Sequence, residues 1–133
     1  MTTQVKYLGN LRTESTHIKS GEKIITDAPT DNNGKGEAFS PTDMVANSAA
    51  TCMLTIMGIV ANRKDLNIEG ATADVKKVMA SEPRRISEIH IKIQMPKVGF
   101  SEEDKIILEN AGMNCPVFNS IHPDIKKEIE FVW

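Results

Sequence analysis

The chain has 133 residues and a net charge of -2, with 40% hydrophobic and 26% charged residues. This length fits one domain with one core, and no repeat or linker is evident, so we predict a single domain over residues 1–133. The lack of a basic excess argues against nucleic-acid and anionic-membrane partners. The polar N-terminal segment has no apolar signal region, which predicts a cytoplasmic protein.

Residues 4–27 are predicted to form three strands. Short segments of alternating polarity are separated by Gly-Asn and Ser-Gly turn signals, which is typical of a small antiparallel meander. Residues 28–39 follow as a loop that is rich in glycine and asparagine. Loops that lead into a helix often carry function.

A long helix is predicted from Pro41 to about Arg63. Ser40 suits the N-cap, Pro41 the first helical position, and Asp43 the position three residues after the cap. Such a helix would be about 35 Å long at 1.5 Å per residue. Apolar residues occur on every side of it, which indicates a buried helix, and polar residues within it argue against a membrane span. Because so short a chain has little material to enclose this helix, we expect a homo-oligomer.

The second half of the chain predicts a hairpin, two helices and a final strand. Residues 89–95 alternate cleanly between isoleucine or methionine and polar residues, as in a strand with one buried face. A helix capped by Ser101 should run to about Ala111 and stop at Gly112. A short helix should start at residues 114–116 and end before His122, and a strand closes the chain. The predicted order is βββ-α-ββ-α-α-β, an α+β fold.

Cys52 and Cys115 are the two cysteines, and in an intracellular protein they can be structural, metal-binding or redox-active. Three scattered histidines provide no metal-ligand spacing, so no metal site is predicted. By the criterion of a lowered pKa, Cys115 is the favoured reactive thiol, because it occupies a helix N-cap before a proline. Cys52 is about twelve residues into its helix, where it could pack as a small apolar residue. Its activation would need a cation from elsewhere in the fold.

Two segments, SPTDMVANSAATCM and NCPVFNSI, carry a family resemblance. Cys52 lies eleven residues after Pro41, and Cys115 is followed directly by Pro116. This pair of motifs resembles the osmotically inducible protein C and organic hydroperoxide resistance family, OsmC/Ohr. The resemblance covers nearly the whole chain, because the predicted order of elements also fits that family's fold.

The resemblance implies an intertwined homodimer with a long buried central helix, and a thiol peroxidase that needs no metal or other cofactor. It implies that Cys52 attacks an organic hydroperoxide and becomes a sulfenic acid, and that Cys115 then condenses with it to a disulfide. A thiol or dithiol reductant would restore the pair. Arg12 resembles the arginine that stabilises the family's reactive thiolate, a task that suits a guanidinium.

The chain departs from the family pattern at Thr42. In the typical peroxidases this position carries a glutamate that pairs with the arginine, and here Glu37 or Asp43 would have to compensate. The sequence therefore resembles a divergent branch of the family. Two other hypotheses remain open: a non-enzymatic redox sensor or binder of a small apolar ligand on the same fold, and a structural dimer with inert cysteines.

Overall fold

A computed structural model describes all 133 residues, and its elements follow the predicted order. The strands are β1 (Thr3–Gly9), β2 (Arg12–His17), β3 (Lys23–Asp27), β4 (Thr72–Ala80), β5 (Arg85–Gln94) and β6 (Lys126–Val132), and the helices are α1 (Pro41–Arg63), α2 (Glu102–Met113) and α3 (Pro116–Ser120). The predicted α+β arrangement is thus confirmed. The chain forms two compact units, Met1–Val45 and Ala46–Trp133. That residues 1–133 act as a single domain stays a prediction.

The first unit contains a three-stranded antiparallel sheet in the order β1-β2-β3. This is the meander that the alternating segments predicted. The register places Arg12 at the start of β2 directly opposite Asp27 at the end of β3. Opposite charges that face each other on neighbouring strands stabilise a sheet, so the register already pairs these two side chains.

The second unit contains a three-stranded sheet in the order β4-β5-β6. Its central strand β5 pairs antiparallel with β4 and parallel with β6. The predicted alternation is confirmed, because Ile89, Ile91 and Ile93 of β5, and Met95 directly after it, are almost completely buried. The parallel pairing with β6 joins segments that are far apart in sequence, and the periodicity alone did not predict it.

Helix α1 begins with the predicted cap. The Asp43 amide donates to Ser40 Oγ (3.0 Å), and the Ser40 amide donates to Asp43 Oδ2 (2.9 Å). This reciprocal pair satisfies two amides at the start of the helix, as in a capping box.

The buried residues of α1 are small residues and methionines: Ala46, Ala49, Ala50, Met53, Met57 and Ala61. Val45 and Ile59 are exposed at 37% and 42%, so a single chain does not complete the burial of the helix. By length and composition alone α1 could cross a membrane, but core helices of soluble proteins pass the same test. Its buried residues belong to the main hydrophobic cluster of the second unit, which is the packing of a soluble protein.

Helix α2 ends differently from the prediction. It runs to Met113, and Gly112 lies inside its last turn rather than behind it. A Cβ atom at Gly112 would lie 3.0 Å from Met57 Sδ and 3.2 Å from Met57 Cγ, closer than side-chain packing normally allows. The glycine therefore serves close packing of α2 against α1 instead of ending the helix.

Candidate active site

The structure brings the two cysteines together. Cys52 is on α1, and Cys115 is the N-cap residue of α3. Both are free thiols, and Cys52 is close enough to Cys115 to influence the pKa of its thiol. Cys52 is partly buried, whereas Cys115 is fully buried. Two neighbouring thiols can together lose two electrons and form a disulfide.

The close packing of α2 on α1 positions this pair. Met53 and Met57, on the buried side of α1, meet α2 at Gly112, three residues before Cys115. Asn114 ends α2 as its C-cap, and the chain turns at once into α3. The absent side chain at Gly112 thus lets the junction of α2 and α3 come close to the helix that carries Cys52.

The environment of Cys115 favours the neutral thiol. Burial raises the pKa of Cys115, and the neighbouring Cys52 thiol raises it further, while the hydrogen bond from the Phe118 amide to Sγ (3.4 Å) opposes both. The prediction that Cys115 has the lower pKa of a reactive thiol is therefore wrong. Helix α3 has only five residues, so the effect of its amides is smaller than the cost of burying a thiolate.

Arg12, the third predicted site residue, lies in the first unit, bound to two carboxylates. Its Nε donates to Asp27 Oδ1 (2.7 Å) and its Nη2 to Asp27 Oδ2 (2.8 Å), which is a two-bond fork. The same Nη2 donates to Glu37 Oε2 (3.2 Å). The hydrogen bond from Arg12 is the main cause that lowers the pKa of Asp27, and the bond to Asp27 in turn raises the pKa of Arg12.

The loop before α1 folds back onto this arginine. The Glu37 amide donates to Asp27 Oδ2 (3.1 Å), and the Gly36 amide donates to the Ala28 carbonyl (3.2 Å). A Cβ atom at Gly34 would lie 1.7 Å from the Ala28 carbonyl oxygen, so only glycine fits this approach. The loop thereby brings the carboxylate of Glu37 to Arg12.

The two candidates for the missing glutamate have different surroundings. Asp43 is part of the capping box with Ser40, whereas Glu37 forms an ion pair with Arg12. Sequence reasoning missed Asp27, the closest partner of the arginine. The pairing of β2 with β3 would have identified it, because this register sets Asp27 opposite Arg12. The residue types in the turn between the two strands do not specify that register.

No group of three or more histidine, cysteine, aspartate or glutamate residues is arranged to hold a metal ion. The second unit holds two neighbouring thiols, and the first unit holds a guanidinium that is bound by two carboxylates.

Comparisons with known proteins agree with one another. The family model described as OsmC-like protein matches residues 34–130. A provisionally named osmotic stress induced and detoxification response protein of Psychrobacter arcticus 273-4 is 50% identical, with a TM-score of 0.94 and coverage of 98% of this chain and 95% of that one.

Two more distant structures share the fold. An organic hydroperoxide resistance protein of Legionella pneumophila is 17% identical, with a TM-score of 0.77 and coverage of 100% of this chain and 98% of that one. The organic hydroperoxide resistance protein OhrB of Bacillus subtilis is 15% identical, with a TM-score of 0.71 and coverage of 98% of both chains. No curated protein matches the sequence significantly.

Proposed function

Because the chain belongs to the OsmC-like family, we propose that it is a thiol-dependent peroxidase that reduces organic hydroperoxides. The observation that supports this proposal most directly is that Cys52 lies close enough to Cys115 to influence the pKa of its thiol. Proteins of the same fold from Legionella pneumophila and Bacillus subtilis are named for resistance to organic hydroperoxides, which points to the same substrate class.

In the proposed reaction the Cys52 thiolate attacks one oxygen of the hydroperoxide. The O–O bond breaks, the sulfur keeps the hydroxyl group as a sulfenic acid, and the other oxygen leaves with a proton as an alcohol. Cys115 then loses its proton and attacks Cys52 Sγ. The S–O bond breaks, hydroxide leaves with a proton as water, and a disulfide forms. A dithiol or thiol reductant supplies two electrons by exchange and restores both thiols.

The burial of the two sulfurs supports this division of roles. Cys52 is partly buried, so a peroxide from solution can approach it, whereas Cys115 is 0% exposed. Because burial raises the pKa of Cys115, this residue remains a neutral thiol at neutral pH until the neighbouring sulfur has been oxidised. A buried neutral thiol is a poor first nucleophile, but it is well placed to resolve a sulfenic acid beside it.

Arg12 is proposed as the cation that stabilises the Cys52 thiolate. This role follows from the resemblance of Arg12 to the family's arginine, and arginine stays charged at all relevant pH values. The ion pair with Glu37 supports this assignment, since Glu37 then takes the task of the glutamate that Thr42 replaces.

We also propose that the protein is a cytoplasmic homodimer. The exposed apolar side chains Val45 and Ile59 on α1, together with Val5 and Tyr7 on β1, offer surface that a second copy could cover. A reaction cycle that regenerates two thiols also needs surroundings that can reduce a disulfide, as the cytoplasm does.

Free thiols counted after one equivalent of cumene hydroperoxide test the proposal. The wild type should lose two thiols rapidly and form a disulfide between residues 52 and 115. Cys115→Ser should accumulate a sulfenic acid that dimedone traps, and Cys52→Ser should not react. Oxidation no faster than that of the unfolded chain would refute the proposal. Slow oxidation with no turnover by any dithiol would favour a redox sensor.

A further inference from the structure

We propose that Lys127 is a positioning residue that holds helix α3 closed over Cys115 and so keeps this thiol buried near Cys52. The inference rests on the proposed function, in which Cys115 resolves the oxidised Cys52. All three residues lie in the second unit, and Lys127 is outside the motifs that the sequence identified.

Lys127 lies at a core-facing position of β6. Alternate residues of a strand share one face, and Ile129 and Phe131, two and four positions later, pack against the hydrophobic core. The register pairs Lys127 with Ile89 of β5, which is 0% exposed. Such a position normally carries an apolar residue, so a lysine there calls for a task that an ammonium can perform.

The ammonium of Lys127 reaches α3. Its Nζ donates to the Phe118 carbonyl (3.3 Å) and lies 5.0 Å from the centroid of the Phe118 ring. The carbonyls in the last turn of a helix lack partners within the helix, and a cation beside them also suits the helix dipole. An ammonium near an aromatic ring is attracted to its electrons. Lys127 therefore holds both the backbone and the side chain of Phe118.

Phe118 connects this contact to Cys115. The Phe118 amide donates to Cys115 Sγ (3.4 Å), and the two residues are 4% and 0% exposed. Helix α3 has only five residues, and so short a helix is not stable through its own hydrogen bonds. It depends on contacts from outside, of which Lys127 provides two from β6. Opening of α3 would expose the Cys115 thiol.

Positioning and simple charge predict opposite results for Lys127→Met. Loss of a positive charge would, by charge alone, disfavour the Cys115 thiolate and slow its alkylation. If Lys127 instead holds α3 closed, its loss lets the helix open, which exposes the thiol and speeds alkylation. Because burial raises the pKa of Cys115, exposure also lowers that pKa again. The direction of the change therefore identifies the role.

The test measures the rate at which iodoacetamide alkylates Cys115, in a Cys52→Ser background so that one thiol reacts. For Lys127→Met we expect alkylation about tenfold faster than in this parent, because a charged hydrogen bond and a cation–π contact are lost. Lys127→Arg keeps a cation with hydrogen-bond donors and should restore most of the parent rate. Low concentrations of urea should leave the excess rate unchanged, because local opening exposes little surface and global unfolding exposes much.

Lys126→Met is the matched control. Lys126 precedes Lys127 on β6, and its ammonium pairs with Glu128 at 2.6 Å, so this variant removes the same charge from the same strand. It should leave the alkylation rate unchanged.

Three results would overturn the proposal. They are an unchanged or slower rate for Lys127→Met, an excess rate that rises with urea as steeply as global unfolding does, and equal acceleration by Lys126→Met. If Lys127→Met does not fold, the shorter and uncharged Lys127→Gln should show the acceleration, and the parent rate there would also overturn the proposal.

Alkylation needs no peroxide, so the two proposals can fail separately. If cumene hydroperoxide does not oxidise the wild type but Lys127→Met speeds alkylation of Cys115, the peroxidase proposal fails and the positioning role of Lys127 stands. If the wild type turns over peroxide and Lys127→Met leaves the alkylation rate unchanged, the positioning role fails and the peroxidase proposal stands.

Discussion

Replacement of Gly112 by alanine should destabilise the protein, although alanine is normally the better helix former. In the interior of a helix alanine is favoured over glycine by about 1 kcal/mol. At Gly112 the new Cβ would lie 3.0 Å from Met57 Sδ and 3.5 Å from Met53 Cε. Overpacking of this kind costs about 1–3 kcal/mol. The net expectation is a loss of about 0–2 kcal/mol in the free energy of unfolding.

Gly58 provides the matched comparison, since it also lies inside a helix. A Cβ atom there would have its nearest neighbour at 3.9 Å, Ile68 Cδ1, which is an ordinary contact. Gly58→Ala should therefore stabilise the protein by up to about 1 kcal/mol through helix propensity. Opposite signs for two helical Gly→Ala changes would trace the difference to packing.

Urea unfolding followed by far-UV circular dichroism, at one fixed protein concentration, measures the free energy of unfolding of both variants. If Gly112→Ala stabilised the protein as much as Gly58→Ala does, the assignment of Gly112 to close packing would be refuted.

Because Gly112 brings the α2–α3 junction close to α1, Gly112→Ala should also slow closure of the disulfide between residues 52 and 115 under peroxide.

Three further predictions follow from the ionisable groups and the helix start. The pKa of Asp27 is lowered from 3.8, so its ionised carboxylate stabilises the fold above about that pH. This contribution to the free energy of unfolding is lost as the pH falls through the pKa of the folded state. An acid-unfolding curve that Arg12→Gln left unchanged would contradict this. The pKa of Cys115 is raised from 9.0, so the rate at which Cys115 closes the disulfide onto an oxidised Cys52 should still increase above pH 9.0. Stopped-flow measurements give this rate. A plateau well below that pH would contradict a buried neutral thiol. Ser40→Ala removes the cap of α1 and should lower the free energy of unfolding by about 0.5–2 kcal/mol in urea titrations, whereas Ser40→Asp should retain most of it.

Local chemistry in the sequence predicted most of the fold. The capping box of Ser40 and Asp43 sets the start of α1, and the alternation in β5 assigns its buried face, because both depend on residues only a few positions apart. The failed prediction at Gly112 shows the limit of this reasoning. A glycine near a helix end has two common uses, and only the methionine packed against it decides which applies.

For the candidate site, the sequence by itself determined which residues to consider. The spacing from Pro41 to Cys52 and the Cys115-Pro116 motif marked the thiols, because those motifs are short and local. Only the tertiary structure decided that the thiols are neighbours, that burial raises the pKa of Cys115, and that Asp27 holds Arg12. Contact, burial and strand register depend on segments far apart in the chain, and desolvation outweighs the local helix-start effect that sequence reasoning can see.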